Sequence, residues 1–230
     1  MSVVEPTLDL ERELVGAGGV LACVDEVGRG ALAGPVSVGL VAIDPWAPGV
    51  PEGVRDSKLL SLAARERLEP EVRAWVLAGA VGHASPGEID ELGIVAALRL
   101  AGRRAWDACL NALGEASLPR PSMALLDGNL DWLSAPPADL FAAAQPGDEE
   151  GLRSVDVPVR TQVKGDRDCL GVGAASILAK VERDRLMEEL ALQHPAYGWE
   201  RNKGYGSAAH RAAILGQGPC DAHRRSWKLI

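Results

Sequence analysis

The stretch that most constrains the fold is GVLACVDEVGRGALAGPVSVGLVAI, residues 19–43. Two apolar runs flank a short segment rich in glycine and alanine. The first, residues 19–25, reads as a strand; the second, residues 36–43, as another. The short connection makes them a hairpin. Two adjacent carboxylates, Asp25 and Glu26, close the first strand, and Gly28-Arg29-Gly30 follows almost at once. A charge at the rim of a core strand is costly unless it is paired. Adjacent strand residues point to opposite faces. The two acids therefore share a site only if the chain bends there, which Gly28 and Gly30 permit, or if the longer Glu reaches round. The spacing G-x-G-x-x-x-G is one residue too long for a dinucleotide fingerprint and leads into a strand, which counts against that reading. Glycines here would instead let a ligand approach main-chain N–H groups closely.

The rest of the chain alternates helical and strand patterns. Residues 44–53 form a Pro/Gly loop. Residues 61–79 read as a helix capped by Ser61, with Pro70 expected to kink or split it. Residues 79–85 fit a short strand, and Ser85-Pro86-Gly87-Glu88 is a helix start. That helical pattern runs to about Leu113, with a break near Gly93. MALLDG (123–128) is a buried strand ending in Asp127. Residues 134–151 read as an exposed loop, and 155–166 as a strand region ending in Asp166. Residues 170–190 form a helix with Ala174, Ile177, Leu178 and Val181 on one face. The tail mixes short helices with aromatic and basic loops. The order of elements predicts an α/β fold with a mixed sheet.

Composition narrows the function classes. A chain of 230 residues with 47% hydrophobic and 24% charged residues fits one large soluble globular domain, or one domain with a small appendage. No apolar run reaches the ~18 residues that span a bilayer, and the N-terminus lacks a basic-then-apolar leader. The four cysteines (Cys23, Cys109, Cys169, Cys220) form no C-x-x-C pair, which predicts reduced thiols in a cytoplasmic protein. The four histidines lack ligand spacing, which argues against zinc. Net charge is −8, yet residues 160–230 carry 12 Lys and Arg against 8 Asp and Glu. A basic C-terminal third can make a local phosphate-binding face on an acidic chain.

Asp25-Glu26, Asp127 and Asp166 all sit at expected strand ends, and such acids can converge at one sheet edge. Four carboxylates in one small space raise each other's pKa, and cations relieve that. An all-oxygen set favours Mg²⁺ or Mn²⁺. Taken singly, each acid reads equally well as a turn residue or helix cap.

DEVGRG, LLDGN, VKGD, AASILAKVERDR, KGYG and HRRSW occur in this order, and together they resemble bacterial ribonuclease HII from about residue 19 to 228. The resemblance implies a ribonuclease H-like α/β fold, a mixed sheet flanked by helices with a small C-terminal helical region. It implies a single domain over 1–230, with a catalytic core at about 19–192 and a substrate-binding region at about 193–230. It implies hydrolysis of the RNA strand of RNA–DNA hybrids, and cutting 5′ of single ribonucleotides in duplex DNA, leaving a 3′-hydroxyl and a 5′-phosphate. Two divalent ions, Mg²⁺ or Mn²⁺, would be held by Asp25, Glu26, Asp127 and Asp166, with Asp25 as the bridge. The Gly28-Arg29-Gly30 turn and Tyr205 would read the RNA–DNA junction. Lys58, Ser176 and Lys180 would contact phosphate, and Lys203 is expected to do so from the basic C-terminal third. His210 and His223 are expected to be structural or phosphate-contacting. The protein is expected to be a monomer with no membrane association. Two alternatives remain: another metal nuclease of the same fold (ribonuclease HIII-like or structure-specific on DNA), and a non-catalytic nucleic-acid-binding module. The four acids argue against the second, since binding DNA gains nothing from buried carboxylates.

Overall fold

The computed structural model describes residues 5–134 and 155–230. The loop expected at 134–151 thus lies, apart from Ser134, outside the described residues. The hairpin forms as expected. β1 (Leu21–Val27) pairs antiparallel with β2 (Val36–Ile43), from Leu21 opposite Ile43 to Val27 opposite Ser37. β3 (Ala78–Ala84) adds antiparallel to β2. β4 (Met123–Asp127) adds parallel to β1, and β5 (Val159–Gln162) parallel to β4. The sheet order is β3-β2-β1-β4-β5.

Side-chain alternation assigns the two faces. Ala22, Val24 and Leu40 point to a core that includes Ala101, Ala105 and Trp106 of helix α4 (Ile94–Glu115). Leu21, Cys23 and Val41 point the other way, toward Val172, Ala175 and Ile177 of helix α6 (Leu170–Gln193). Helices α1 (Asp9–Val15) and α2 (Leu62–Trp75) add Leu10, Leu68 and Val72 to that second core. A third, smaller cluster joins Leu32 and Ala33 of the hairpin connection to Met187 of α6, Tyr197, Trp199 and Ile214. It gathers the short helices α7 (Trp199–Asn202) and α8 (Ala208–Gln217) against the end of α6.

Local signals hold where they are strong. Ser85 and Glu88 form a reciprocal capping box on α3 (Pro86–Leu92), and Gly93, at φ 76°, separates α3 from α4. Four expectations need correction. β1 runs two residues past Asp25, so the acids lie within the strand, because Glu26 and Val27 still pair with Val38 and Ser37. α2 is continuous through Pro70; Pro70 and Glu66, whose carbonyl loses its partner, are on the exposed side, where water can serve it. The 155–166 strand region shrinks to β5, and Asp166 sits in a single helical turn, α5 (Gly165–Asp168). The first half of α6 is buried nearly all round, not on one face, because it is packed between the sheet and the 54–57 segment.

Candidate active site

Alternation and register place the acids. Asp25 has the parity of Leu21 and Cys23, so it faces α6. Val24 lies beside Leu126 in the parallel β1–β4 pair. One step further along that register, Asp127 stands next to Asp25, with the parity of Leu125. Asp166 comes to the same patch from α5, its backbone N–H donating to Asp127 Oδ1 at 3.3 Å. Glu26 has the opposite parity, yet it feels the charges of Asp127 and Lys58. β1 keeps its pairing through Val27, so Glu26 could join the patch only through the length of its side chain.

The electrostatics follow from crowding. Asp25 is only 2% exposed. Burial, then the charges of Asp127 and Glu26, push its pKa well up, against a hydrogen bond from Ser176 and the charge of Lys58. Burial, then Asp127 and Asp56, raise Asp166. Burial also raises Glu26, opposed by Arg29, whose guanidinium lies 3.6 Å from its carboxylate. Lys58 Nζ sits 3.2 Å from Asp166 Oδ2 and 3.9 Å from Asp56 Oδ1. Burial alone would lower its pKa, but Asp25, Asp166 and Asp56 outweigh that and raise it. A cation thus already stands beside a carboxylate set that repels itself.

The 3₁₀ turn Ser57–Leu59 carries Lys58. Asp56 caps the turn by accepting from the Lys58 N–H. Ser57 and Ser176 share a hydroxyl–hydroxyl hydrogen bond of 2.8 Å, and Arg65 Nη1 donates to the carbonyls of Ser57 and Leu60. Ser176 is therefore next to Asp25 as well as beneath the turn. Lys180 is turned to Asp184 at 2.6 Å and is mostly covered. Lys203, in a left-handed conformation at φ 49°, is paired with Glu188, and among the described residues it forms no ion pair with the four candidate acids.

The 28–35 connection is held by two arginines that sequence reasoning missed as site residues. Arg224 donates to the carbonyls of Gly28, Arg29 and Gly34, and Arg183 to those of Ala33, Pro35 and Lys203. Both are fully buried, and among the described residues neither forms an ion pair. Burial, then the like charge of Arg183, pull Arg224 down to about 9, which still leaves it a cation at neutral pH. With those carbonyls drawn inward, the N–H groups of Gly28, Arg29 and Gly30 have no partner among the described residues. At Gly28, φ is +82°, and a Cβ would collide with the Arg183 guanidinium. Leu32 and Ala33 N–H both donate to Gly204 O, so this connection and the 203–206 loop form one unit. Tyr205 is 39% exposed, with its ring 5.6 Å from the Arg183 guanidinium carbon. A signal for Arg183 was present: it falls seven residues after Ser176 on the same stripe of α6.

A family model described as ribonuclease HII matches residues 22–230. The chain belongs to the ribonuclease HII family. It is accordingly an endonuclease of the ribonuclease H type. Curated ribonucleases HII from Streptomyces avermitilis and Paracoccus denitrificans are each 44% identical to it. The matches cover 98% of this chain and 84% and 93% of those proteins. Among solved structures, ribonuclease H2 from Pyrococcus horikoshii aligns with a TM-score of 0.61 at 25% identity, covering 91% of this chain and 94% of that one. The Archaeoglobus fulgidus ribonuclease HII, solved in complex with PCNA, aligns at 0.63 and 26%, covering 91% and 95%. A ribonuclease HIII structure, Bst-RNase HIII with Mn²⁺, aligns at 0.69 and 20%, covering 96% and 70%, a likeness of fold. The ribonuclease H-like α/β fold expected from the motifs is the fold observed. Among the described residues no helix is long and apolar enough to cross a membrane.

Proposed function

We propose that this ribonuclease HII cuts the RNA strand of RNA–DNA hybrids, and cuts 5′ of single ribonucleotides in duplex DNA, leaving a 3′-hydroxyl and a 5′-phosphate. The observation that carries this is a juxtaposition. Asp25, Asp127 and Asp166 lie near one another at one end of the sheet, and the strand that carries Asp25 continues directly into the turn whose Gly28, Arg29 and Gly30 N–H groups have no partner among the described residues.

The donor set fits divalent cations. All four candidate ligands, Asp25, Glu26, Asp127 and Asp166, are hard oxygen donors suited to Mg²⁺ or Mn²⁺. Three of them have carboxyl groups raised by burial and neighbouring charge, a state that a bound cation relieves. Among the described residues no three ligating side chains are drawn around one centre, so the set is a shared patch rather than a closed cage. When bound, a pair of such ions activates water and stabilises the leaving oxygen.

The chain's own residues do the rest. The Gly28-Arg29-Gly30 turn admits a sugar where a larger side chain would keep it away, and its N–H groups suit a 2′-hydroxyl, the sugar group that distinguishes RNA from DNA. The buried charges of Arg183 and Arg224 make that turn electropositive. Tyr205 projects beside it and stacks on the sugar just 3′ of the ribonucleotide. Lys58, on a side chain 62% exposed, can swing from Asp166 to a phosphate; Ser176, 2% exposed and bonded to Ser57 and Asp25, supports the site from beneath, and Lys180 reaches a phosphate only by leaving Asp184. Lys203 contributes general phosphate attraction after leaving Glu188. The protein acts as a monomer.

The test is a duplex carrying one ribonucleotide, incubated with Mg²⁺ or Mn²⁺ and mapped by product length. One cut 5′ of the ribonucleotide is expected. Cleavage of an all-DNA duplex at a similar rate would favour a structure-specific nuclease instead.

A further inference from the structure

His210 and His223 lie outside the carboxylate patch, and both are at most 1% exposed. We infer that they are positioning residues: a fixed pair of neutral tautomers that holds the Tyr205 backbone, and so aims its ring at the substrate. This rests on the proposed role of Tyr205 as the junction-reading residue.

The proton positions follow from the partners. The indole N–H of Trp199 can only donate, and it lies 3.0 Å from His210 Nε2. His210 Nε2 must therefore be the unprotonated acceptor. The proton then sits on Nδ1, 2.9 Å from the carbonyl oxygen of Tyr205, and donates to it. At His223, the backbone N–H of Cys220 donates to Nδ1 at 3.1 Å. That nitrogen is an acceptor, so His223 carries its proton on Nε2. This proton can then share the His210 Nε2 lone pair with the Trp199 N–H, as the longer and weaker of the two bonds at 3.2 Å. The result is one directed chain: Cys220 N–H to His223, His223 to His210, His210 to Tyr205 O. A second proton on either ring would set donor against donor. Burial supports neutrality, lowering both pKa values and bringing His223 to about 4.

The recipient matters. Tyr205 O also accepts from Ser207 N–H at 2.8 Å, Gly204 O from Leu32 and Ala33, and Lys203 O from Arg183. Three successive carbonyls of the loop are thus pinned inward, while the Tyr205 ring is left exposed. The His210 bond is the one among these that comes from α8, and it ties the loop to the Tyr197–Trp199 aromatic cluster packed about both histidines. Loss of that bond would leave the ring in place but less well aimed.

The first experiment is direct. Long-range ¹H–¹⁵N correlation of ¹⁵N-histidine-labelled wild-type protein at pH 7, with four histidines to assign, should show His210 protonated on Nδ1 only and His223 on Nε2 only. His210 protonated on Nε2, or as imidazolium, would overturn the inference. The second compares His210→Asn, whose amide nitrogen falls near the Nδ1 position, with His210→Gln, whose amide falls near Nε2. His210→Gln should lower kcat/KM on a single-ribonucleotide duplex by roughly 3- to 10-fold more than on a uniform hybrid, the worth of about one hydrogen bond, and His210→Asn should restore most of it. Equal losses on both substrates for His210→Gln, with Tyr205→Ala still selective, would refute the positioning role. If Tyr205→Ala itself lowers both substrates equally, the junction-reading role of Tyr205 is wrong and the positioning claim falls with it, whatever the tautomers.

Discussion

A methyl group at residue 30 separates what the turn does for the fold from what it does for the substrate. Gly30 lies outside the positive-φ region, and a Cβ built on it meets nothing within 4 Å. Gly30→Ala should therefore leave the folded state unstrained and gain ~0.4–1 kcal/mol from a less flexible unfolded chain. For a chain of this size that raises Tm by about 1–4 °C. If the ribose approaches the N–H groups here, the same methyl displaces it. A misplacement of about 1 Å costs on the order of 10²-fold in rate, so kcat/KM on a single-ribonucleotide duplex should fall by about that factor. Gly28→Ala is the contrast: φ is +82° and the new Cβ runs into Arg183. Left-handed backbone alone costs a β-carbon-bearing residue ~1–2 kcal/mol, so both Tm and activity should fall. Thermal melts and steady-state kinetics on the two variants decide the matter. Wild-type kcat/KM for Gly30→Ala, or a Tm loss matching that of Gly28→Ala, would refute the assignment of that open space to the sugar.

Asp25→Asn should abolish cleavage, by on the order of 10³-fold or more, while duplex binding in gel-shift assays stays intact or tightens as negative charge is removed; full activity would remove Asp25 from the metal site. Ca²⁺, larger and less demanding in geometry, should support little turnover, and rates equal to those in Mg²⁺ would argue against the proposed ions. Lys203→Ala should weaken binding to all duplexes similarly and flatten the salt dependence of affinity; an effect confined to ribonucleotide-containing duplexes would make Lys203 a sugar reader. His223 is held at about 4 in the folded protein, above all by burial, against ~6.5 unfolded. The unfolded chain therefore binds the proton first as pH falls. The stability this site contributes is complete above pH 6.5 and lost between 6.5 and 4, by about 2–3 kcal/mol. Urea melts at pH 7 and pH 5 should show this loss reduced in His223→Gln, and an unchanged loss would assign acid sensitivity elsewhere.

Much of this was legible because the signals were local. The hairpin, the Ser85 capping box, the strand ending at Asp127 and the long helix from Leu170 each follow from period, caps or turn residues a few positions apart. The misreadings came from longer range. Alternation alone set Asp25 and Glu26 on opposite faces, and the charges that Glu26 feels, those of Asp127 and Lys58, come from distant segments. Asp166 looked like a strand end, but β5 closes at Gln162 and a helical turn delivers the acid. Arg224 and Gly28, joined by a hydrogen bond of 2.6 Å, stand 196 positions apart, and an arginine read locally is a surface residue. The tautomers of His210 and His223 likewise depend on Trp199 and Cys220, which no spacing rule connects.

The most direct test of the central claim uses one duplex and two lesions of the turn–carboxylate pair. Wild type, Asp25→Asn and Gly30→Ala are incubated with Mg²⁺ on duplex DNA containing a single ribonucleotide and on the same duplex without it, and products are resolved at single-nucleotide length. The expected result is one wild-type cut 5′ of the ribonucleotide, with a 3′-hydroxyl and a 5′-phosphate, no cut in the all-DNA duplex, and loss in both variants. Cleavage of the all-DNA duplex by wild type, or undiminished cutting by Asp25→Asn, would contradict it.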